Sequence, residues 1–128
     1  MLNSRVLPMT VLALRVAYGA ALIAAPERLA RRWLGPAAAT GATQVPLRAL
    51  GARELLLHAG GLAAAAHGGS LRPWFAASIA GDLTDVAATA AARDELPDGA
   101  ARMTVLVGGG SALISALCLT QARSLLNR

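Results

Sequence analysis

The stretch MTVLVGGGSALISALCLT, residues 103–120, decides how the rest of this chain is read. It carries no charge, and its apolar positions run all the way round a helix. A helix on the surface of a water-soluble bundle needs a polar face, and this one has none. At 1.5 Å per residue it spans roughly 27 Å, close to the hydrocarbon thickness of a bilayer. The rival reading is a soluble four-helix bundle of alanine-rich helices with internal charges. This segment argues against it.

Three further apolar runs precede it. The first covers 8–25 and stops at Pro26, since proline opens helices and ends them but does not continue them. A secretory leader is its rival reading, with Arg5 as basic start and Ala24-Ala25 as cleavage region. Arg15 inside the apolar core and Pro26 after the cut favour a retained helix. The second run covers 46–66 and the third 71–92, the latter opening on Arg72-Pro73-Trp74. Between the first two lies Glu27-Arg28-Leu29-Ala30-Arg31-Arg32-Trp33-Leu34, a short basic amphipathic helix suited to the headgroup plane. Residues 36–44 read as a loop and 93–99 as a charged loop. The prediction is one all-α domain: a four-transmembrane-helix bundle with a short interfacial helix after the first span. It would be a multi-pass protein of the cell membrane, with the lipid bilayer as its first partner.

Composition agrees with that class. Hydrophobic residues make up 55% of the 128, and mean hydropathy is +0.52. All 12 basic residues are arginine, and the formal charge is +5. They are scattered at segment ends, without the basic stripe and stacking aromatics of a nucleic-acid binder, so no nucleic-acid partner is expected. Loop arginines divide almost evenly between the two sides, which leaves orientation open and permits a homo-oligomer of either insertion. A single cysteine, Cys118, excludes an internal disulfide.

The functional signal is the charge that lies inside these runs. An ionised side chain at bilayer depth costs roughly 2.5–3.5 kcal/mol on insertion scales, so such residues face the bundle interior and are paired. Side chains at i, i+4, i+7 and i+11 share a helical face. Ser78, Asp82, Asp85 and Thr89 have that spacing, which predicts one polar stripe with two carboxylates a turn apart. Either one carboxyl holds a proton or an arginine compensates the pair. Glu54 and His58 share a face of the second span, a carboxylate placed to orient an imidazole. Arg15 and Tyr18 are positioned to close the same pocket, with Arg48 as a further cation. Arg53, adjacent to Glu54, points away from it. Thr104, Gly108, Ser111, Ser115 and Cys118 form a stripe of small residues, read mainly as helix packing. Only one histidine lies inside a span and no His-x-x-x-His pair exists, so no metal is expected. Gly108-Gly109-Gly110 lacks the strand and lysine of a phosphate loop, and no cofactor motif is present.

The run Leu47-Arg48-Ala49-Leu50-Gly51-Ala52-Arg53-Glu54-Leu55, followed by Gly81-Asp82 and Asp85, resembles a group of uncharacterised small four-helix membrane proteins of high-GC bacteria. The resemblance implies a four-helix integral membrane fold and no particular activity.

From the residues themselves, the expectation is a cofactor-free acid–base enzyme, a cyclase or isomerase or an epoxide-opening catalyst, acting on an apolar small molecule such as a terpenoid or polyketide. Asp82 or Asp85 would be the acid and Glu54 with His58 the base or relay. Arg15, Tyr18, Arg48 and Ser78 would bind the substrate. Two alternatives stay open. One is a proton-coupled transporter working as an oligomer. The other is a structural or accessory subunit whose charges set helix register.

Overall fold

The computed structural model describes residues 5–124. Among them there are five α-helices and no strand: α1 (Val6–Ala24), α2 (Pro26–Leu34), α3 (Gly41–Ala66), α4 (Arg72–Ala91) and α5 (Ala100–Ser124). Short 3-10 turns, Gly35–Ala39 and Arg93–Glu95, join α2 to α3 and α4 to α5. The four long helices match the four apolar runs, and α2 matches the amphipathic segment. One boundary differs. Residues 36–44 are not a loop, because Thr40 caps α3 by accepting from the Thr43 N–H at 3.4 Å, so the helix begins at Gly41. Pro46 lies inside the helix rather than at its start. That forfeits one backbone hydrogen bond near the N-terminal end, where it costs least.

Among the described residues only two helices, Val6–Ala24 and Ala100–Gln121, are long and apolar enough to cross a membrane by composition, not the four expected. α3 and α4 fall short because they carry Arg48, Arg53 and Glu54, and Arg72, Asp82 and Asp85. The helices that do qualify are not core helices. Only 22% and 17% of their most apolar windows are buried.

The long helices run alternately up and down, and each packs against its sequence neighbour, with α5 returning to α1. Small residues set the closest approaches. A Cβ on Gly19 would stand 2.6 Å from the Gly51 carbonyl oxygen, and one on Gly51 would stand 2.7 Å from that of Gly19. The α1 and α3 backbones therefore touch where these two glycines meet. At Gly60 the missing Cβ leaves room for the Trp74 indole of α4.

Apolar clusters occupy the two ends of the bundle. Leu22, Ala30, Leu34, Ala38 and Leu47 form one, which seats α2 by its inner face. The Trp33 indole N–H donates to the Ala100 carbonyl at 3.1 Å and fixes that end. Leu12, Phe75 and Cys118 form the other. Between them, midway along all four helices, the interior is polar. Glu54, His58, Ser78, Asp82 and Ser115 are buried, with exposures of 4% or less. The outside is apolar in turn: Leu56, Leu83, Leu106 and Leu113 are 53–70% exposed.

The glycine crossing gives a direct test. Gly51→Ala should lower the melting midpoint of the detergent-solubilised protein, at a cost of about 1–3 kcal/mol for overpacking. Gly109→Ala, where a Cβ meets no atom within 4 Å, should leave it unchanged or raise it. Circular dichroism against temperature separates the two.

Candidate functional site

Arg15 sits at the middle of α1 and reaches into the polar layer. Its guanidinium is shared between two helices. Nε donates to Glu54 Oε2 of α3 at 2.8 Å, while Nη1 and Nη2 grip the two oxygens of Asp82 on α4 at 2.8 and 2.6 Å. Nη2 also stands 2.8 Å from Glu54 Oε2. From α5, the Ser111 hydroxyl oxygen accepts from Nη1 at 2.5 Å, and that of Ser115 lies at 3.5 Å. One cation thus ties all four long helices together, in the planar forked geometry that suits arginine and not lysine.

A second pair lies beside it. Arg53 of α3 holds Asp85 of α4 through both oxygens, at 3.1 and 2.6 Å. It also bends back to Glu54 Oε1 at 3.3 Å. This corrects the expectation that Arg53 turns away from Glu54: the Cα–Cβ directions diverge, but the long side chain spans the gap. The Arg53–Asp85 pair is the more open one, with side chains 36% and 37% exposed. Asp82 and Asp85 share a stripe as the spacing predicts, and each has its own arginine.

His58 is wholly buried. Its Nδ1 lies 2.6 Å from the Glu54 main-chain carbonyl oxygen, which can only accept, so the ring hydrogen is assigned to Nδ1. Nε2 then accepts from the Ser78 hydroxyl at 3.0 Å, and the Ser78 oxygen stands 3.4 Å from that of Ser115. The chain of bonds runs from Arg15 through Ser115 and Ser78 to His58, and ends on main chain. Serine, imidazole and carboxylate occur here in the order of a hydrolytic triad. Two facts separate this site from one. The Glu54 carboxylate is 3.5 Å from Nδ1 and committed to Arg15, and Ser78, at 2% exposure, has no path to a substrate. Glu54 orients the ring through its backbone, not through its carboxylate as expected.

Two residues expected at the site stand outside its hydrogen-bond network among the described residues. Tyr18 is 44% exposed and makes no hydrogen bond among the described residues. Gly19 is the residue that faces α3, and each residue turns the helix by roughly 100°. Tyr18 is carried outward by that turn. Arg48 is exposed near the start of α3, one residue from the inward-facing Leu47. Three residues join the site that the pattern had left outside it: Arg53, Ser111 and Ser115. Charge counting would have found the first, because three interior carboxylates need more than one arginine. The serines were visible as a stripe, but only the fold shows that the stripe meets Arg15.

Besides the half-exposed Arg53–Asp85 pair, the centre meets the outside at a groove. A groove of about 380 Å³ runs between α1 and α5, walled by Val11, Leu14, Leu106 and Ile114, with Arg15 and Ser111 also lining it. A second depression, beside Ser70, Arg72 and Leu119, lies at the chain-terminal end and includes none of the central residues. Among the described residues no group of three His, Cys, Asp or Glu side chains is placed to hold a metal ion. The carboxylates are bonded to guanidiniums instead.

No family model, curated protein or solved structure matches the chain.

The two ion pairs should differ in strength. Removing one partner of a buried pair strands the other, at about 3–5 kcal/mol, whereas a half-exposed pair is worth about 0–1 kcal/mol. Arg15→Met and Asp82→Asn should each melt the bundle well below the unaltered protein, and Arg15→Lys should rescue little. Arg53→Met should cost far less. A double-mutant cycle on Arg15 and Asp82, read by thermal unfolding in detergent, should show strong coupling.

Proposed function

We propose that this chain is a four-span integral membrane protein whose polar centre serves an apolar small molecule arriving sideways from the bilayer. The membrane part is supported by the inversion of the usual order, with charge at the core and leucines on the outside. A bilayer is the solvent that favours this arrangement. α3 and α4 qualify as spans on this reading because their central charges are paired, Glu54 and Asp82 in the interior with Arg15 and the half-exposed Arg53 and Asp85 with each other. α2, with Arg28, Arg31 and Arg32 exposed, lies at the headgroups.

The observation that carries the ligand part is the groove between α1 and α5. Its walls are aliphatic and continuous with the lipid-facing surface, and its floor is Arg15. An apolar molecule can leave the bilayer, lie against Leu14 and Leu106, and bring one polar atom to the floor that Arg15 and Ser111 form. Such a site suits cofactor-free acid–base chemistry in a water-poor cleft: cyclisation, isomerisation or epoxide opening of a terpenoid or polyketide. These reactions rearrange bonds without an external oxidant or reductant. In this arrangement Glu54 and Asp82 hold Arg15 in place, and the polarised donors of the groove floor that Arg15 backs serve as the acid toward the substrate's oxygen.

A second reading rests on an equally specific observation. Each interior carboxylate is matched to a guanidinium. The layer would then set helix register in an accessory subunit.

One substitution separates the two. A Cβ at Gly110 has open space around it, and Gly110 lines the groove. Gly110→Leu should fill the groove without disturbing the fold. In nanodiscs, an apolar photoreactive diazirine should label Leu14 and Leu106 in the unaltered protein and lose that labelling in Gly110→Leu, with the melting midpoint unchanged. Unaltered labelling would sink the groove reading and favour the register one.

A further inference from the structure

The donors around the groove floor are unequally spent, and this selects the ligand. Arginine offers five N–H groups. In Arg15 every nitrogen is already engaged: Nε with Glu54, Nη2 with Asp82 and Glu54, and Nη1 with Asp82 and Ser111. Ser111 differs. Its oxygen accepts from Arg15 at 2.5 Å, but its own hydroxyl hydrogen has no acceptor among the described residues. It borders the groove one residue from Gly110. Accepting from a guanidinium also polarises that O–H and makes it a better donor.

The charge of the centre narrows the choice further. Two guanidiniums, Arg15 and Arg53, face three carboxylates, Glu54, Asp82 and Asp85, with His58 carrying a single ring hydrogen. An incoming carboxylate or phosphate would add to a negative excess and find no spare N–H on Arg15, the guanidinium that lines the groove; the Nε–H of Arg53, unpartnered among the described residues, is not part of that lining. An incoming ammonium would meet the Arg15 guanidinium at the groove floor. A neutral oxygen pays neither penalty.

Resting on the proposed groove site, we infer that its ligand is an uncharged apolar molecule bearing one hydrogen-bond-accepting oxygen, a ketone, ether or epoxide, and that the Ser111 hydroxyl is the donor that holds it. Ser111 is thus the residue that reads the polar end, while Arg15 stiffens and polarises it from behind.

The test uses the full chain in nanodiscs, with the photoreactive diazirine as reporter and four competitors of similar length: methyl decyl ketone, lauric acid, laurylamine and dodecane. The ketone should protect Leu14 and Leu106 at the lowest concentration. Ser111→Ala should raise the ketone concentration needed by about threefold to tenfold, the worth of one hydrogen bond, and leave dodecane unaffected. The carbonyl stretching band of bound ketone should lie at lower frequency in the unaltered protein than in Ser111→Ala. Best protection by the acid or the amine, or a ketone response indifferent to Ser111→Ala, overturns the inference while leaving the groove occupied. No protection by any competitor, dodecane included, overturns the groove itself.

Discussion

Arg15 lies between Glu54 and Asp82, and the arrangement of the four long helices depends on that contact. Within the bundle, α1 meets α3 through facing glycines and α4 meets α5 along a helical hairpin. These two pairs touch each other sparingly through backbone packing. At mid-height the polar layer joins them, Arg15 to Asp82, Arg53 to Asp85, and His58 to Ser78, while the Trp74 indole at Gly60 and the Leu12–Phe75–Cys118 cluster join them at one end. A bare charge in such an interior is expensive, by several kcal/mol per ion even after relaxation. In the polar layer, the halves are held by the penalty avoided in keeping them together. Directionality follows from the same fact. A guanidinium fork accepts two carboxylates only in its own plane, so it sets rotation and height along the axis, where aliphatic contacts would tolerate sliding.

The layer order gives this constraint its setting. Two apolar clusters cap the polar layer, one seating α2 and the other gathering Leu12, Phe75 and Cys118. Both ends of the layer are thereby shut. On the proposed reading the lateral groove between α1 and α5 is the approach, and it is lined by side chains that lipid tails would also wet. Access and solvent are coupled in this design. On that reading a water-soluble ligand would meet capped ends, and a lipid-soluble one an open side.

Much of this was legible in the residues, for identifiable reasons. Apolar length and proline punctuation place four long helices and the amphipathic α2 with boundaries a few residues off. Period placed Asp82 with Asp85, and Glu54 with His58, because helical spacing is a rigid geometric rule. It failed where side-chain length matters. Arg53 leaves the backbone in the wrong direction for Glu54 and still reaches it. It failed again where rotation about the helix axis is set by a distant crossing, so that Gly19, not Tyr18, faces α3. The partner of each charge was illegible for a further reason. Spacing along one helix says which residues share a face but not which face of another helix stands opposite. Ser111 shows this best: it belongs to a plain stripe of small residues, and only the return of α5 to α1 makes it the neighbour of Arg15.

The groove lies between the first and the last helix of the chain, and this bears on how the protein would be made. Under the membrane reading, α1, α3 and α4 leave the ribosome with every interior charge already among them. Arg15, Arg53, Glu54, Asp82 and Asp85 can pair with one another before α5 is synthesised. α5 brings only hydroxyls and needs no partner to enter lipid. The ring then closes last at the seam that later admits the ligand. Its assembly joint and its doorway are the same line. A seam sealed late, by serines rather than by salt bridges, can part again without breaking the charge lock behind it.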